Sequence, residues 1–282
     1  MRYVVLSIII LSAASACAAT LDQISNSTFH AIVGNNSCGT VFLVKDCHSL
    51  YMVTAGHVMA EAMSEDEFKF DIVVRTGNDV SVDTATRTSI DIDTPSGLSM
   101  VYTDAKHDVS VVKLIGMDWL ASDAIDLDDI MSCDEILSNH SILTDVVSFG
   151  FPESRSSSNL VHPIVRKGYI MHHALEISDK NPACSLDMPI RPGSSGSPIY
   201  SKIDGKWKLF AIAVRSETLN KDARKEHLGI TIAAYASYAR SAIDFLNSQV
   251  MSGERIHDVN TKYSKARRRA TELLKRGKKR RE

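Results

Sequence analysis

The stretch that most constrains the fold of this chain is Pro192–Pro198, where a serine stands between glycines in a run of small residues. Glycine allows backbone angles that a side chain forbids, so such a turn can expose a hydroxyl and aim successive N–H groups at one point. Those N–H groups can bind the oxygen that becomes negative when a carbonyl is attacked. Ser195 is therefore the candidate nucleophile, and the N–H groups of Gly193 and Ser195 are the candidate oxyanion donors. Taken alone, the stretch fits a surface turn equally well.

Two further stretches supply the groups that a serine needs in order to act as a nucleophile. The apolar run Leu50–Val53 predicts a strand that ends close to His57, and Asp108 opens the alternating strand pattern Val109–Leu114. Histidine can accept the serine proton because its ordinary pKa is about 6.5. A carboxylate on the other ring nitrogen fixes the tautomer and stabilises the imidazolium. Separately, each residue is typical of a strand end or a turn; together with Ser195 they predict a catalytic triad.

The three motifs, in this order, resemble the chymotrypsin-like serine protease family, most closely its bacterial HtrA-like and V8-like branch. His57 and Asp108 are 51 residues apart, and Asp108 and Ser195 are 87 apart. The resemblance covers residues 28–248. It implies an all-β fold of two six-stranded antiparallel β-barrels with a C-terminal helix, and a serine endopeptidase that needs no cofactor or metal. The stretches that carry it are Thr54–His57, Asp108–Lys113, Gly150–Pro152, Val165–Ile170 and Asp187–Pro198.

The same resemblance indicates the residues beside the substrate. Pro189 stands where trypsin-like relatives have an aspartate, six residues before the nucleophile, so we expect small or medium apolar residues before the scissile bond. Arg215 leaves an acidic preference open. Ser194 replaces the aspartate that binds a new N-terminus in many relatives, so we expect no activation of that kind. The full set of expected pocket residues is Pro189, Ile190, Val214, Arg215 and Ser216.

Residues 1–18 predict a secretory signal peptide: a short positive start, an apolar run and then small residues. Both Ala14–Ala16 and Ala16–Ala18 fit an A-x-A cleavage site. The alternative is a weak lipobox that would make Cys17 a lipidated N-terminus. In either case we expect a secreted protein or one of the periplasm or cell envelope.

The remaining chain divides into four predicted parts. Residues 19–120 form the first barrel with His57 and Asp108, and residues 121–140 form an acidic, irregular crossover. Residues 141–250 form the second barrel with Ser195 and the closing helix, in which Tyr238, Ala242, Phe245 and Leu246 face the barrel. Residues 251–282 form a basic tail that is disordered or helical. No segment of the size of a PDZ domain is expected after the barrel.

The basic tail contrasts with the rest of the chain in charge. Residues 262–282 contain 11 Lys and Arg and 2 Glu, a net charge of +9, whereas the whole chain carries −2, which leaves −11 for residues 1–261. We interpret the tail as a solvated end, with electrostatic contact to an anionic surface as the alternative. No specific nucleic-acid partner is expected; the expected partner is a polypeptide substrate.

The spacing of the cysteines leaves one disulfide pairing open. Cys38 and Cys47 flank a predicted strand about 20 Å long, too far for a disulfide, whereas Cys133 with Cys184 stays open. None of these four cysteines has a metal-site spacing.

For function, the main alternative to a peptidase is a catalytically silent, protease-like binding module. A third hypothesis is a protein that binds nucleic acid through its basic tail.

Overall fold

The computed structural model describes residues 19–33, 36–62, 69–76, 84–91, 100–152, 162–173, 183–221 and 224–252. The predicted signal peptide with Cys17, the basic tail from residue 253 onward, and the predicted turns at 77–79 and 94–97 lie outside these residues. Within them, no helix is both long enough and apolar enough to cross a membrane. The chain is mostly strand with a C-terminal helix, so the predicted fold class is confirmed.

The first half of the chain forms a curled antiparallel sheet. Seven strands follow one another in the order β5-β4-β1-β2-β3-β7-β6, and β8 pairs in parallel with β2. Over the described residues, the end strands β5 and β6 pair only with β4 and β7 and not with each other, so the expected first barrel is an open sheet rather than a closed one. The strands are β1 Thr28–Val33, β2 Asn36–Lys45, β3 Leu50–Ala55, β4 Lys69–Thr76, β5 Thr84–Asp91, β6 Met100–Asp104, β7 Val109–Leu114 and β8 Ile125–Asp126.

The second half closes into the expected six-stranded barrel, in the order β10-β11-β14-β13-β12-β9. Its longest strands, β13 and β14, form a hairpin that continues beyond the other strands. The strands are β9 Asp145–Gly150, β10 Ile164–His172, β11 Ala183–Asp187, β12 Pro198–Ile203, β13 Lys206–Lys221 and β14 Arg224–Tyr235.

In the described part of the chain, four helices and two 3₁₀ turns complete the fold. The predicted crossover is more regular than expected, because it contains the end of the first 3₁₀ turn, all of the second, β8 and a capped helix. The Ser132 hydroxyl accepts from the Glu135 N–H while the Glu135 carboxylate accepts from the Ser132 N–H, which satisfies two otherwise free donors. The helices are α1 Leu21–Asn26, α2 Gly56–Ala62, α3 Cys133–Asn139 and α4 Ala236–Ser252, and the 3₁₀ turns are Asp118–Asp123 and Leu127–Asp129.

A continuous apolar cluster joins the two halves. It combines side chains of the first sheet, such as Phe42 and Val53, with Phe149 and Tyr200 of the second barrel. Helix α4 packs against the same cluster and touches strands of both halves. Because burial of apolar area is the main favourable term in folding, this shared cluster fixes how the halves meet, and the active-site motifs lie along that junction.

The predicted inner face of α4 is largely correct. Ala242 and Leu246 are buried, and Tyr238 packs on the cluster. Phe245 is the exception, with 38% of its surface exposed; its ring lies 5.1 Å from that of Tyr102 at the rim of the sheet. Arg240, on the same helix, donates to the carbonyl of Ile130 at 2.9 Å, so α4 also holds the crossover.

Three cysteines are unpaired in the described part of the chain. Cys47, Cys133 and Cys184 carry free thiols, so the possible disulfide between Cys133 and Cys184 does not form. Within the described residues, no group of three His, Cys, Asp or Glu side chains could hold a metal ion.

Two buried histidines lie in the core of the second barrel. The His140 ring stacks on Phe210 at 4.7 Å, and His173 packs against the same ring and shares a hydrogen bond with the Tyr235 hydroxyl at 3.1 Å. Burial lowers the pKa of His140, and the charge of His173 lowers it further. Burial also lowers the pKa of His173, with His172 adding to the effect. The folded barrel therefore resists protonation of both rings.

This arrangement predicts that the protein loses stability in acid. Both folded-state pKa values lie below the unfolded value of about 6.5. The unfolded chain thus binds protons first, and stability falls as the pH drops below that value, by at most about 1.4 kcal/mol per pH unit for each histidine. Urea unfolding from about pH 7.5 to 5 would show a smaller slope for His140→Phe, which keeps the stacking but cannot titrate. Exposed His48→Gln is the control; an unchanged slope in His140→Phe would contradict the assignment.

Candidate active site

His57 is held at the junction of β3 and α2 by Asp108, which lies between β6 and β7. Strand β7 pairs with β3, with Val109 opposite Ala55, and β6 pairs with the other edge of β7, so strand pairing alone brings the two motifs together. The His57 backbone N–H donates to Asp108 Oδ1 at 2.7 Å, and the ring Nδ1 lies 2.8 Å from Oδ2. The N–H of Gly56 donates to the Asp108 carbonyl at 2.8 Å. Asp108 thus holds the His57 ring through one contact and the backbone of Gly56 and His57 through two more.

The carboxylate of Asp108 is electrostatically suited to hold that ring. Burial raises its pKa, but hydrogen bonds from the His57 ring and N–H and the charges of His57 and Arg215 outweigh burial, and the net pKa lies below its usual value. An ionised carboxylate can only accept hydrogen bonds, so Nδ1 of His57 carries the proton in this pair. In the neutral ring, Nε2 is then left as the proton acceptor.

The turn before Asp108 contains a second histidine–aspartate pair, which the sequence analysis did not identify. Asp104 accepts from the N–H groups of Lys106 and His107, and its other oxygen lies 2.5 Å from His107 Nδ1. The His107 ring stacks on Tyr238 of α4 at 3.7 Å. Asp108 itself has φ of +57°, in the left-handed region that costs most residues energy. The Asp104–His107 pair braces the turn in which Asp108 adopts this conformation.

Ser195 lies in a tight turn that both halves of the molecule hold. The Ser194 N–H donates to the Arg191 carbonyl and the Ser197 N–H to the Ser194 carbonyl, both at 3.0 Å. Gly196 has φ of +87°, and a Cβ there would lie 2.1 Å from the carbonyl oxygen of Thr40. Only glycine fits this position, because the turn presses against a neighbouring strand.

The candidate oxyanion donors remain available. Within the described residues, the N–H groups of Gly193 and Ser195 have no acceptor, whereas those of Ser194, Gly196 and Ser197 are all bonded. Gly193 has φ of +87°, which again favours glycine. The N–H of the candidate nucleophile and that of Gly193, two residues before it, can therefore bind a developing negative oxygen.

The Ser195 hydroxyl does not contact His57 in this structure. It donates to the Val214 carbonyl at 3.1 Å, and the contacts of the described residues include no bond between it and the His57 ring. The structure therefore brings His57 and Asp108 together but leaves Ser195 turned away. Rotation about the Ser195 Cα–Cβ bond would change this partner, and hydrogen bonds between catalytic groups often tighten only when substrate binds.

Thr40 of β2 connects the first half to the serine turn, and the sequence analysis did not identify it. Its N–H donates to the Ser195 carbonyl at 2.8 Å, and its hydroxyl donates to the Gly193 carbonyl at 3.0 Å. The same hydroxyl accepts from the Phe151 N–H at 3.0 Å. We call these three bonds the Thr40 clamp. Nothing in the sequence separates this threonine from any other strand residue, because its partners are more than a hundred residues away.

The expected pocket residues lie at different depths. Ile190 and Val214 are buried, and Pro189 and Arg215 are exposed. The Ser216 hydroxyl lies 3.0 Å from Nδ1 of His227 on the neighbouring strand, a contact that the sequence did not predict. The carbonyl of Val214 accepts the hydrogen bond from the Ser195 hydroxyl, so this part of β13 borders the candidate nucleophile.

The clamp predicts a specific effect of Thr40→Val, which keeps the shape and removes the hydroxyl. The Phe151 N–H and the Gly193 carbonyl would lose their partner, at about 1–3 kcal/mol of stability for each buried group left unpaired. The displaced turn should also lower kcat by at least about tenfold, the rate equivalent of 1.4 kcal/mol. Urea unfolding and hydrolysis of a short peptide would measure the two effects.

The matched control is Thr28→Val in β1. The Thr28 hydroxyl is buried and donates to the Ile24 carbonyl at 2.8 Å, so this change removes a comparable bond away from the serine turn. It should lower stability and leave kcat unchanged. A Thr40→Val protein with the parent kcat would show that the clamp does not position the turn.

Comparison with known proteins supports the family that the motifs resemble. Residues 39–212 match the family described as the trypsin-like peptidase domain. A comparison with curated protein sequences gives no match.

Three solved structures with a similar fold have low sequence identity to this chain, and two of them are described as proteases. An HtrA-type protease, AlgW, solved with a tripeptide, is 14% identical, with a TM-score of 0.50 over 83% of this chain and 63% of its own. The thermostable serine protease AL20 from an extremophilic microorganism is 13% identical, with a TM-score of 0.47 over 78% of this chain and 99% of its own. Deg5 is 15% identical, with a TM-score of 0.46 over 77% and 87%.

Proposed function

This chain belongs to the trypsin-like peptidase family, and on that premise we propose that it is an exported serine endopeptidase that works through His57, Asp108 and Ser195. The observation that carries the proposal is the pair of contacts by which Asp108 holds both the backbone and the ring of His57, at 2.7 and 2.8 Å. A merely structural histidine at a strand end needs no such double contact.

In the proposed reaction, Nε2 of His57 takes the proton from the Ser195 hydroxyl as its oxygen bonds to the substrate carbonyl carbon. The N–H groups of Gly193 and Ser195 stabilise the negative oxygen of the tetrahedral intermediate. The C–N bond then breaks, and His57 gives its proton to the leaving amine. Water attacks the acyl-enzyme by the same route and regenerates the Ser195 hydroxyl. Asp108 stays ionised throughout and stabilises the imidazolium.

The alternative function is a catalytically silent binding module with the same fold. The observation in its favour is that the Ser195 hydroxyl is bonded to the Val214 carbonyl rather than to His57. The two functions differ in whether the serine turns toward His57 when a substrate is present, so kinetics can separate them.

For a working triad, Ser195→Ala should reduce kcat by roughly a millionfold without unfolding the protein. His57→Ala should cost about as much, and the double variant should be little worse than either, because the residues act as one unit. Rates on a protein substrate such as casein, with circular dichroism to confirm folding, would test this. Cleavage by Ser195→Ala at the parent rate, in protein free of contaminating proteases, would reject the assignment.

For specificity, we expect cleavage after small or medium apolar residues. Pro189 offers no charge where a trypsin-like pocket needs one, and the adjoining Ile190 is buried and apolar. Burying an unpaired Arg or Lys of the substrate against them would be costly. Profiling on a peptide library tests the expectation, and efficient cleavage after Arg or Lys would contradict it. Comparison with Arg215→Gln separates the acidic alternative, since only an Arg215-dependent preference would disappear.

A further inference from the structure

Three segments that are distant in sequence meet at the start of β13. Ala19, the first described residue, forms an antiparallel bridge with Trp207, and Ile130 forms a parallel bridge with Leu209. The Met131 N–H also donates to the Leu209 carbonyl at 3.1 Å. Ala19 is only 3% exposed and belongs to the apolar cluster that joins the two halves. The chain is therefore already fixed within the fold at this residue.

Beside Ala19 lies a buried carboxylate that lacks a full set of partners. Asp129 is 8% exposed, and among the described residues its Oδ2 has no hydrogen-bond donor. The bridges of Ala19 and Ile130 to β13 bring the two residues together, and the backbone N–H of Ala19 lies near enough to this carboxyl group to lower its pKa. Such a group is costly to bury unless a positive charge and several donors accompany it. A single peptide N–H supplies neither.

The charged groups around Asp129 do not supply the missing charge. The ammonium of Lys208 is bonded at 2.5 Å to Glu135. The guanidinium of Arg240 donates to the carbonyls of Leu127 and Ile130 and lies 3.7 Å from the Asp128 carboxylate. Asp126 and Asp128 are negative, and Tyr200 is neutral and buried. Burial and the charge of Asp126 raise the pKa of Asp129 to about 6, with Asp128 adding to the effect and with Lys208 and the Ala19 N–H opposing it. The position is therefore suited to one more cation.

We propose that the peptide bond between Ala18 and Ala19 is cleaved, and that the new α-ammonium group of Ala19 pairs with the carboxylate of Asp129. Hydrolysis of this bond by a leader peptidase consumes one water. It leaves a carboxylate on Ala18 and an amine on Ala19. An α-amino group has a pKa of about 7.7–8.0, so this amine is protonated at neutral pH. It then offers three donors and a positive charge where the uncleaved chain offers one neutral N–H.

This proposal selects among the processing routes that the sequence left open. Ala16–Ala18 fits the A-x-A pattern, and cleavage after it makes Ala19 the first residue. Cleavage after Ala16 would begin the chain at Cys17 and leave the Ala18–Ala19 bond intact, as would lipidation of Cys17. Only the first route puts a charge beside Asp129.

The first experiment compares two amino termini in a Ser195→Ala background, so that the result does not depend on the proposed activity. One chain begins at Ala19 and the other has Gly-Ser before it. At pH 7 the Tm of the chain that begins at Ala19 should be higher by about 2–4 °C or more. A shift of that size corresponds to about 1 kcal/mol in a domain of this size. The gap should vanish in Asp129→Asn and persist in Asp128→Asn, whose native side chain is 87% exposed. Equal melting of the two chains, or a gap that survives Asp129→Asn, would overturn the pairing.

Two further measurements remain decisive if Asp129→Asn does not fold. In the folded protein that begins at Ala19, an amine-reactive reagent should modify the α-amine far more slowly than in the Gly-Ser form; equal rates would reject a buried amine. Mass analysis of the chain exported from cells that express all 282 residues should give Ala19 as the first residue. A first residue at Cys17 or Thr20 would reject the cleavage site.

Discussion

The serine turn depends on a strand from the other half of the molecule. A Ser195 hydroxyl can meet His57 only if the second barrel is set against the first sheet to within a fraction of an ångström. The Thr40 clamp supplies this constraint, because its N–H and hydroxyl hold the carbonyls of Ser195 and Gly193. The Thr54 hydroxyl in turn donates to the Thr40 carbonyl at 2.8 Å, three residues before His57. The nucleophile and the base are thus fixed to one pair of strands.

The close packing around the clamp explains why glycine is needed on both sides of it. A Cβ at Gly39 would lie 2.9 Å from the Ser195 carbonyl oxygen, and a Cβ at Gly150 would meet the Ser197 side chain. Burial of the shared apolar cluster supplies the free energy that brings the two halves together, but it has no direction. The hydrogen bonds of the Thr40 clamp and the close approaches at the glycines fix the position of the serine turn against the first sheet.

Local patterns were enough to predict the motifs and the strands beside them, but not the contacts between distant elements. The apolar run before His57 predicted β3 and the alternation after Asp108 predicted β7, and antiparallel pairing places the two residues together. The Thr40 clamp, the Asp104–His107 pair and the bond from Ser195 to Val214 depend on tertiary packing. The exposure of Phe245 has the same origin, since helical spacing defines a face but not where the partner surface ends. Sequence patterns also could not predict that the first sheet is open, or that Cys133 and Cys184 stay free thiols.

The proposed activity requires the Ser195 hydroxyl to become an activated nucleophile, although it donates to the Val214 carbonyl in this structure. A fluorophosphonate probe tests this most directly, because it bonds to a serine whose proton a neighbouring base can take. We expect that the folded protein is labelled, that peptide mapping finds the label on Ser195, and that His57→Ala slows labelling sharply. A folded parent protein that stays unlabelled, or a label that His57→Ala does not slow, would contradict it.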